Sequence, residues 1–403
     1  MYIQRDIEQT IAKLLRQFKV VLLTGARQVG KTTLLKQVFA DSYRYVTLDD
    51  NQALSLALDD PALFFLSYAP PVIVDEVQYA QNLFRQIKVL VDNSDERGLV
   101  ILTGSQSYHL MQDVTESLAG RIAILEMSGL SLREIEGSGY CDPFLPSDAF
   151  VGKASTVNDA GGLWQRIHRG SMPELQNPGI DWDFFYRNYV RTYIERDVRS
   201  LVALKDENLF YKFLVSLAAR TGQLFNASSV ANDIGVSLKT IQHWSSILEA
   251  SGIVRFIQPY FDNIHKRLIK SPKVYFMDSG LVCYLLGWSS PAVLERGAMA
   301  GPIFETFVVS EILKGYLNAG GDLRSLFFYR DHEKREIDLL IKAGTTLFPI
   351  EIKKTATPKK EMVSNFSALN SLNVQVGMGA LICFVHESAY LTENVITVPV
   401  DAI

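Results

Sequence analysis

Residues 25–32 read Gly25-Ala26-Arg27-Gln28-Val29-Gly30-Lys31-Thr32 and fit the phosphate-loop pattern GxxxxGK(S/T) at each fixed position. An apolar run at residues 20–23 precedes this stretch and predicts a buried strand, and residues 33–39 predict an amphipathic helix after it. The two glycines allow successive N–H groups to point into one concavity, to which the helix N-terminus adds partial positive charge. The stretch therefore predicts an α/β domain with a parallel sheet that binds phosphate.

The loop and the first helical residues, through Thr33, are predicted to hold a nucleoside triphosphate. Lys31 would reach the β- and γ-phosphates, and the Thr32 hydroxyl would bind Mg²⁺. A chance glycine-rich turn before a helix is the alternative. The match at all fixed positions, with a strand and a helix on either side, favours the nucleotide site.

A second motif follows the apolar run at residues 72–74, where Asp75 and Glu76 stand at the carboxyl end of a predicted central strand. Ligands bind at this end of strands in open α/β sheets. Asp75 is predicted to hold the Mg²⁺ shell and Glu76 to orient and polarise the attacking water, although an acidic surface turn would also fit. After a third predicted strand, the hydroxyl of Thr103 is placed to contact the γ-phosphate or the water, a sensor-like role.

The length, charge and composition of the whole chain limit the classes of protein that fit these motifs. Its 403 residues suggest two or three domains, and its net charge of −4 means that nucleic-acid binding would need a local basic patch. The three cysteines are far apart without CxxC spacing, and no apolar run reaches membrane-spanning length. These features predict a cytoplasmic protein without a membrane partner. Composition divides the chain into an ATPase core at residues 1–136, a linker with helices and a winged helix at 137–295, and a third domain at 296–403.

Residues 226–276 predict a winged helix. Gly235 makes the turn, Ser237 caps a second helix from Leu238 to Ala250, and Leu238, Ile241 and Leu248 are expected to point inward with Trp244 or Ile247. A basic turn, which also includes His265 and Lys273, leads into the last strand. The residues that would contact DNA are Lys239, Gln242, His243, Lys266, Arg267 and Lys270. Alternatively, the winged helix is a packing module or a lid on the ATPase.

The C-terminal region carries a set of carboxylates. Two predicted strands, at residues 335–341 and 348–353, are joined by a short turn, so Asp338 can share a sheet face with Glu351 and Lys353. Asp338 and Glu351 would bind a second divalent ion, while Lys353 would position or help deprotonate water. Glu305, from a preceding helix, would complete the set. The alternative is that these residues form a degenerate site, which binds a ligand but no longer catalyses a reaction.

The order of these motifs carries a resemblance. The phosphate loop is followed by the IVDE strand, by LAGR at residues 118–121, by YIERDV at 193–198, and by IDLLI and IEIKK near the end. The chain resembles the uncharacterised prokaryotic AAA-type ATPases that fuse an ATPase core to a winged helix and a domain like the PD-(D/E)XK nucleases. The resemblance implies ATP rather than GTP. It also makes Arg121 a candidate γ-phosphate arginine, within its own subunit or in a neighbour of a homo-oligomer; an ordinary salt bridge is the alternative.

These observations predict an Mg²⁺-dependent ATPase whose cycle moves the winged-helix and C-terminal domains on DNA. Two other classes of function stay open. One is a nucleotide-gated scaffold or signalling switch that holds a protein partner. The other is an ATP-regulated nuclease of a defence or mobile-element system.

Overall fold

The computed structural model of this chain describes residues 2–104, 117–140, 142–155, 160–194, 207–261 and 271–403. Three of the predicted DNA-contacting residues, Lys266, Arg267 and Lys270, lie outside these ranges, as does His265 of the predicted basic turn. Their predicted roles stay predictions.

The amino-terminal region alternates strands with helices. Its elements are α1 (Ile7–Leu15), β1 (Val20–Thr24), α2 (Lys31–Phe39), β2 (Arg44–Thr47), α3 (Asn51–Asp59), α4 (Pro61–Ser67), β3 (Val72–Asp75), α5 (Leu83–Asp92), β4 (Val100–Thr103), β5 (Ile122–Glu126) and α6 (Leu132–Glu136). The strands pair in parallel in the order β2-β3-β4-β1-β5. β1, β3 and β4 are buried along their whole lengths, because helices cover both faces of such a sheet. The predicted P-loop NTPase-like sheet is thereby confirmed.

The middle region is mainly helical. Its elements are α7 (Ala160–Arg169), a 3₁₀ turn (Pro173–Gln176), α8 (Trp182–Tyr189), a π-helical turn (Val190–Ile194), α9 (Glu207–Ala218), α10 (Ala227–Ile234), α11 (Leu238–Ala250), β6 (Val254–Pro259), β7 (Lys273–Phe276), α12 (Ser279–Leu285) and α13 (Pro291–Arg296). α11 has the predicted bounds, since the Ser237 hydroxyl accepts a hydrogen bond of 3.1 Å from the Thr240 N–H. Gly235 ends α10 in the left-handed conformation, with φ 82°.

The C-terminal region is built on a second, mixed sheet. Its elements are α14 (Ala300–Asn318), β8 (Leu326–Arg330), β9 (Glu336–Ala343), β10 (Thr346–Ile352), a 3₁₀ segment (Lys360–Ser371), β11 (Gln375–Val376), β12 (Gly379–Cys383), β13 (Tyr390–Thr392) and β14 (Val395–Pro399). The strand order is β13-β14-β12-β10-β9-β8-β6-β7, with β11 beside β10. Because β6 pairs in parallel with β8, the β6–β7 hairpin of the middle region extends this sheet. The boundary predicted at residue 296 therefore separates segments that share one sheet.

The long helix α14 connects the second sheet with the amino-terminal region. The Thr10 hydroxyl of α1 donates a hydrogen bond of 2.6 Å to the Asn318 carbonyl, and Lys314 Nζ donates one of 3.0 Å to the carbonyl of Leu130. α14 is buried for most of its length. In the described ranges, neither α14 nor another helix is both long and apolar enough to cross a membrane.

Candidate functional site

The phosphate loop runs from β1 into α2 in a conformation that depends on its glycines. Gly25 has φ +143°, and a Cβ atom at this position would lie 2.0 Å from the carbonyl oxygen of Met127. Gly30 precedes α2 with φ 95°, and Gln28 also adopts a positive φ, of 64°. A side chain at Gly25 would push the loop away from the chain that follows β5, so the loop requires glycine here.

Lys31 is buried at the start of α2. Its Nζ donates hydrogen bonds of 2.9 Å to the carbonyl oxygens of Gly25 and Ala26, so the ammonium group lies over the loop. A cavity of about 630 Å³ opens beside it. Its lining includes Arg27, Gln28, Gly30, Lys31, Thr32, Thr33, Glu76, Pro173, Glu174 and Phe185. The last three of these residues belong to the middle region, so two regions of the chain form the cavity together.

Asp75, at the end of β3, is where several hydroxyl groups meet. Its Oδ2 accepts hydrogen bonds from the hydroxyls of Thr32, at 2.8 Å, and Tyr45, at 2.6 Å. Its Oδ1 accepts one from the hydroxyl of Thr103. The structure thus brings the predicted residues Thr32, Asp75 and Thr103 together. Adjacent carboxylate and hydroxyl oxygens are ligands that fit Mg²⁺, so the residues present suit this ion.

Tyr45 was missed by the sequence analysis. It lies on β2, next to β3 in the sheet, and an alternating pattern in a short strand gives no sign of a polar contact at its end. Burial and the hydrogen bond to Asp75 raise the pKa of the Tyr45 hydroxyl well above its usual range, so this group remains a hydrogen-bond donor. Tyr45 therefore fixes the orientation of the Asp75 carboxylate.

Glu76 leaves β3 in the left-handed conformation, with φ 59° and ψ 44°. A residue other than glycine adopts this conformation at a cost of about 1 kcal/mol or more, and such residues concentrate at functional sites. The Glu76 N–H donates a hydrogen bond of 3.3 Å to the Thr103 hydroxyl, and the Gln78 amide donates one to the Glu76 carboxylate. The half-buried carboxylate lines the cavity beside the phosphate loop, where the sequence analysis places it.

Arg5 is a second residue that sequence reasoning missed. It is 3% exposed, and it supports the back of the phosphate loop. Its Nη1 donates a hydrogen bond of 2.8 Å to the Val29 carbonyl, its Nη2 donates one of 2.8 Å to Ser128, and its Nε pairs with Glu134 at 3.1 Å. Because Arg5 lies 24 residues before Val29 in the chain, a local motif gives no signal for it.

Arg121 lies at the wrong end of the sheet for the role predicted within its own subunit. β5 runs parallel to β1 with Ile122 opposite Val20, so Arg121 is at the amino ends of these strands, whereas the phosphate loop follows their carboxyl ends. Its guanidinium pairs with the exposed carboxylate of Asp92 at 2.5 Å. The ordinary salt bridge is therefore the arrangement observed. A contact from one subunit to the nucleotide of a neighbour stays a prediction.

The predicted DNA-contacting face of α11 is accessible. Lys239, Gln242 and His243 are exposed, whereas Ile241 and Trp244 are buried as predicted. The prediction that Leu238 points inward is wrong, because it is 42% exposed. Leu238 is the first residue of α11 and lines an open groove between α11 and β6. Neighbouring elements therefore do not cover its side chain.

The C-terminal carboxylates converge as the strand pattern predicts. Lys353 Nζ lies 2.5 Å from Glu351 Oε1 and 3.6 Å from Asp338 Oδ2. Asp338 also accepts a hydrogen bond of 2.9 Å from the Ile352 N–H, which fixes β9 against β10. These three side chains share one face of the sheet at the end of β10.

Glu305 joins this cluster through a residue that the sequence analysis placed elsewhere. Lys273, interpreted as part of a basic turn, is 2% exposed and points into the carboxylates. Its Nζ lies 3.1 Å from Glu305, 2.7 Å from Glu336 and 3.8 Å from Asp338. Lys273 is therefore the first residue of a buried strand and not part of an exposed basic turn, because β7 packs beside α14. Glu336 was also missed, although it is two residues from Asp338 and therefore shares its face. We call the six residues Lys273, Glu305, Glu336, Asp338, Glu351 and Lys353 the carboxylate cluster.

Ionisation in the carboxylate cluster is strongly perturbed. Burial and the neighbouring Asp338 raise the pKa of Glu351 to about 8 and that of Glu305 to about 7. Burial opposes the charged form of Lys273, but Tyr275 and the carboxylates around it outweigh that effect and raise its pKa well above the usual range. Lys273 is therefore a permanent cation.

The second divalent ion predicted here does not fit this arrangement. Across the ranges that the structure describes, no three acidic, histidine or cysteine side chains surround a common point as metal ligands would. In the carboxylate cluster, the Lys273 ammonium stands between Glu305, Glu336 and Asp338.

Comparisons with known proteins divide the chain into three parts. A model of the AAA domain matches residues 17–136. A domain of unknown function (DUF8612) matches residues 161–292, and another (DUF4143) matches residues 300–403.

Relatives extend over nearly the whole chain. An uncharacterized protein of Mycobacterium tuberculosis is 29% identical, a match that covers 99% of this chain and 84% of that protein. An uncharacterized protein of Methanocaldococcus jannaschii is 24% identical over 72% of this chain and 67% of its own length. Among solved structures, the Walker-type ATPase of Pyrococcus abyssi aligns with a TM-score of 0.39 and 15% identity, over 70% of this chain and 96% of that one.

Proposed function

Because the chain matches an uncharacterised family of AAA-type ATPases, we propose that it is an Mg²⁺-dependent ATPase whose cycle moves the middle and C-terminal regions, and that it acts on DNA. The AAA domain supports binding and hydrolysis of ATP as such. The dependence on Mg²⁺, the coupled movement and the action on DNA are the steps beyond it.

The proposed roles follow from the contacts around Asp75. Thr32 and Asp75 would hold Mg²⁺, whose charge would neutralise the β- and γ-phosphates. Lys31 would turn its ammonium from the carbonyls of Gly25 and Ala26 to these phosphates, since both positions lie over the same loop. Glu76, held by Gln78, would orient the attacking water, and Thr103 would link that residue to the Asp75 carboxylate.

The observation that carries the coupling is the shared cavity. Pro173, Glu174 and Phe185 of the middle region line the same space as the phosphate loop, so a nucleotide there would contact both regions. A second link lies one step behind the loop, where Arg255 of β6 forms an ion pair with Glu126 at the end of β5. Through this ion pair, a change in the conformation of the phosphate loop would therefore affect the β6–β7 hairpin, which continues into the second sheet.

Hydrogen exchange tests the coupling. The Glu76→Gln variant keeps bound ATP unhydrolysed for longer, so its exchange can be compared with and without ATP and Mg²⁺. We expect slower exchange at residues 173–189, because the nucleotide closes this segment against the loop. Residues 395–399 of β14 provide the control, since that strand lies in the second sheet far from the cavity. Equal exchange at residues 173–189 with and without ATP contradicts the coupling.

The action on DNA is proposed for the winged helix, and its exposed face carries Lys239, Gln242 and His243. A PD-(D/E)XK nuclease-like core is proposed for the C-terminal region, on the convergence of Asp338, Glu351 and Lys353. We expect double-stranded DNA to stimulate ATP turnover. The triple change of Lys239, Gln242 and His243 to alanine should remove this stimulation. Lys88→Ala should retain it, because Lys88 is exposed on α5, outside the winged helix.

Salt dependence gives an independent measurement of the same contacts. Each phosphate contact that is lost lowers the slope of log affinity against log salt by about 0.9. If DNA does not change the rate of ATP hydrolysis by the wild-type chain, the scaffold or signalling switch with a protein partner is favoured. Nicking of a plasmid in Mg²⁺ or Mn²⁺ would favour the ATP-regulated nuclease.

A further inference from the structure

We propose that Asp278 is a positioning residue for the nucleotide cavity. It holds the wall that the middle region contributes, which consists of Pro173, Glu174 and Phe185, and this wall takes the nucleoside part of the ligand. The assignment rests on the proposed binding of ATP at the phosphate loop. It adds to that site a buried carboxylate that lies outside the cavity.

The wall from the middle region is chemically unlike the phosphate loop on the other side of the cavity. The loop offers backbone N–H groups and the Lys31 ammonium, which suit anions. Pro173, Glu174 and Phe185 offer an apolar ring, a carboxylate and an aromatic ring, and none of them is a cation. A carboxylate repels phosphate but accepts hydrogen bonds from ribose hydroxyls, and apolar rings pack against a base. The wall therefore suits the nucleoside rather than the phosphates.

One end of this wall is fastened to Asp278 through Ser171. Asp278 Oδ2 accepts hydrogen bonds of 2.7 Å from both the N–H and the hydroxyl of Ser171. Two residues further on, Pro173 begins a 3₁₀ turn and stands over the phosphate loop, where its Cγ would lie 3.8 Å from a Cβ atom at Gly30. Asp278 thus fixes the position of Pro173 and Glu174 over the loop.

The other end of the wall is fastened to Asp278 through Tyr186. The Tyr186 hydroxyl donates a hydrogen bond of 2.7 Å to Asp278 Oδ1. Burial and this carboxylate raise the pKa of Tyr186 well above its usual range, so the hydroxyl remains a donor. The Tyr186 ring packs edge-on against the Phe185 ring, with their centroids 5.3 Å apart. A single carboxylate therefore holds both segments of the wall.

Asp278 is itself tightly held. It is 6% exposed, and its Oδ1 also accepts a hydrogen bond of 2.6 Å from the Leu281 N–H at the start of α12. A Cβ atom at either Gly170 or Gly280 would overlap the Tyr186 hydroxyl, so the close packing around the carboxylate depends on two glycines. Because a buried polar group that loses its partner is costly, a change at Asp278 should shift the segments that donate to it.

The variant Asp278→Asn tests this assignment with little change in shape. An amide has a single oxygen, so either the Ser171 N–H or the Leu281 N–H loses its acceptor, whichever way the amide is turned. We expect the variant to bind ADP about tenfold more weakly than the wild-type chain, measured by calorimetry in Mg²⁺. Pyrophosphate has no nucleoside and should bind both proteins equally, because the phosphate loop is unchanged.

Tyr186→Phe supplies a second variant if Asp278→Asn does not fold. It removes one hydroxyl and keeps the ring, and it should also weaken the binding of ADP but not that of pyrophosphate. Thr221→Val is the matched control, because Thr221 is buried in the middle region and its hydroxyl pairs with that of Thr306 at 2.8 Å. Neither threonine lines the cavity, so this variant should bind both ligands as the wild-type chain does.

The two ligands separate the possible failures. If Asp278→Asn and Tyr186→Phe bind ADP as tightly as the wild-type chain, Asp278 does not position the wall. An equal loss of ADP and pyrophosphate affinity in these variants also overturns the assignment, because the phosphate loop itself is then disturbed. A wild-type chain that binds neither ligand contradicts the proposed function, and the role of Asp278 falls with it.

Discussion

Asp75 in the first sheet accepts hydrogen bonds from three hydroxyl groups, whereas the carboxylates of the second sheet lie beside two ammonium groups. Asp75, Asp338 and Glu351 stand on strands and are buried, and Glu305 approaches the second set from α14. Hydroxyl donors orient a carboxylate but leave its charge uncompensated, so a bound cation can still gain from it. Ammonium groups compensate the charge within the protein itself. The first arrangement suits a cation that binds and leaves with a nucleotide. The second suits carboxylates whose charge is already balanced within the protein.

The position of the charged groups also differs between the two regions. Glu351 and Glu305, crowded with other acids in the second sheet, have raised pKa values. At the phosphate loop, Arg5 supports the backbone from behind and pairs with Glu134 rather than with Asp75. Lys31 lies over the loop beside the cavity, where a ligand can reach it.

The largest effect is expected from a change of Arg5, which supports the phosphate loop. Arg5→Met removes the guanidinium and leaves the buried carboxylate of Glu134 without its ion pair. Breaking a buried pair in this way costs about 3–5 kcal/mol, so the free energy of unfolding of the first sheet should fall by that amount. Urea denaturation followed by circular dichroism measures it.

Arg16→Met is the control for Arg5, since Arg16 is exposed at the end of α1. It should change the free energy of unfolding by less than about 0.5 kcal/mol, as surface substitutions usually do. If both variants unfold at the same urea concentration, the phosphate loop does not depend on a buried charge.

Catalysis gives the next effect. Glu76→Gln keeps the shape of the side chain but removes the base, so turnover should fall by about 10²-fold or more while ATP binding is kept. Steady-state phosphate release measures turnover, and calorimetry measures binding. Asp338→Asn, in the second sheet, should hydrolyse ATP at the wild-type rate. Loss of turnover in Asp338→Asn would show that the two regions are not separable.

Nucleotide affinity should respond to Lys31. Lys31→Ala removes a charge-assisted contact to the phosphates and should weaken ATP binding by about 1.5–3 kcal/mol, measured by calorimetry. Lys36→Ala lies further along the same helix, where Lys36 is exposed over the Tyr45 ring, and should leave the affinity near wild type. If Lys31→Ala and the wild-type chain bind ATP with equal affinity, Lys31 does not contact the phosphates.

The smallest effect is a dependence of stability on pH. Folding raises the pKa of Glu351 from its ordinary 4.5 to about 8, so the folded chain binds a proton there that the unfolded chain has released. Stability from this group is therefore present below pH 4.5 and is lost as the pH rises toward 8, by up to about 1.4 kcal/mol per pH unit.

Glu351→Gln cannot ionise at this position and should show a flatter fall in thermal midpoint between pH 5 and pH 8. Glu305 still titrates in both proteins, so the comparison is the difference between the two curves. Lys31→Ala should keep the wild-type curve, because Lys31 lies in the first sheet. Parallel curves for Glu351→Gln and wild type would mean that Glu351 ionises freely in the folded chain.

Local signals were sufficient for much of the fold. The phosphate loop, the strand that ends at Asp75 and the capped helix α11 each depend on residues that are neighbours in the chain, so their sequences predict them closely. The β9–β10 hairpin belongs to the same group, since the turn at Gly344 and the two-residue period place Asp338 beside Glu351.

Contacts between distant segments escaped prediction. Lys273 looked like one more basic residue in a turn, because its sequence neighbours are basic and its carboxylate partners lie more than 30 residues away. Arg121 looked like a nucleotide ligand, because the motif around it does not state at which end of the sheet it stands.

By itself, the sequence determined that this chain has a phosphate loop, a magnesium-suited pair at Thr32 and Asp75, and a set of carboxylates on one face of a C-terminal hairpin. These features follow from spacing along one or two adjacent elements, where backbone geometry fixes which side chains meet. Only the tertiary structure decided that Arg5 supports the loop, that Tyr45 orients Asp75 and that Lys273 enters the carboxylates. Each of those contacts joins elements whose packing depends on the whole core, and no local period encodes which charge will be buried against which.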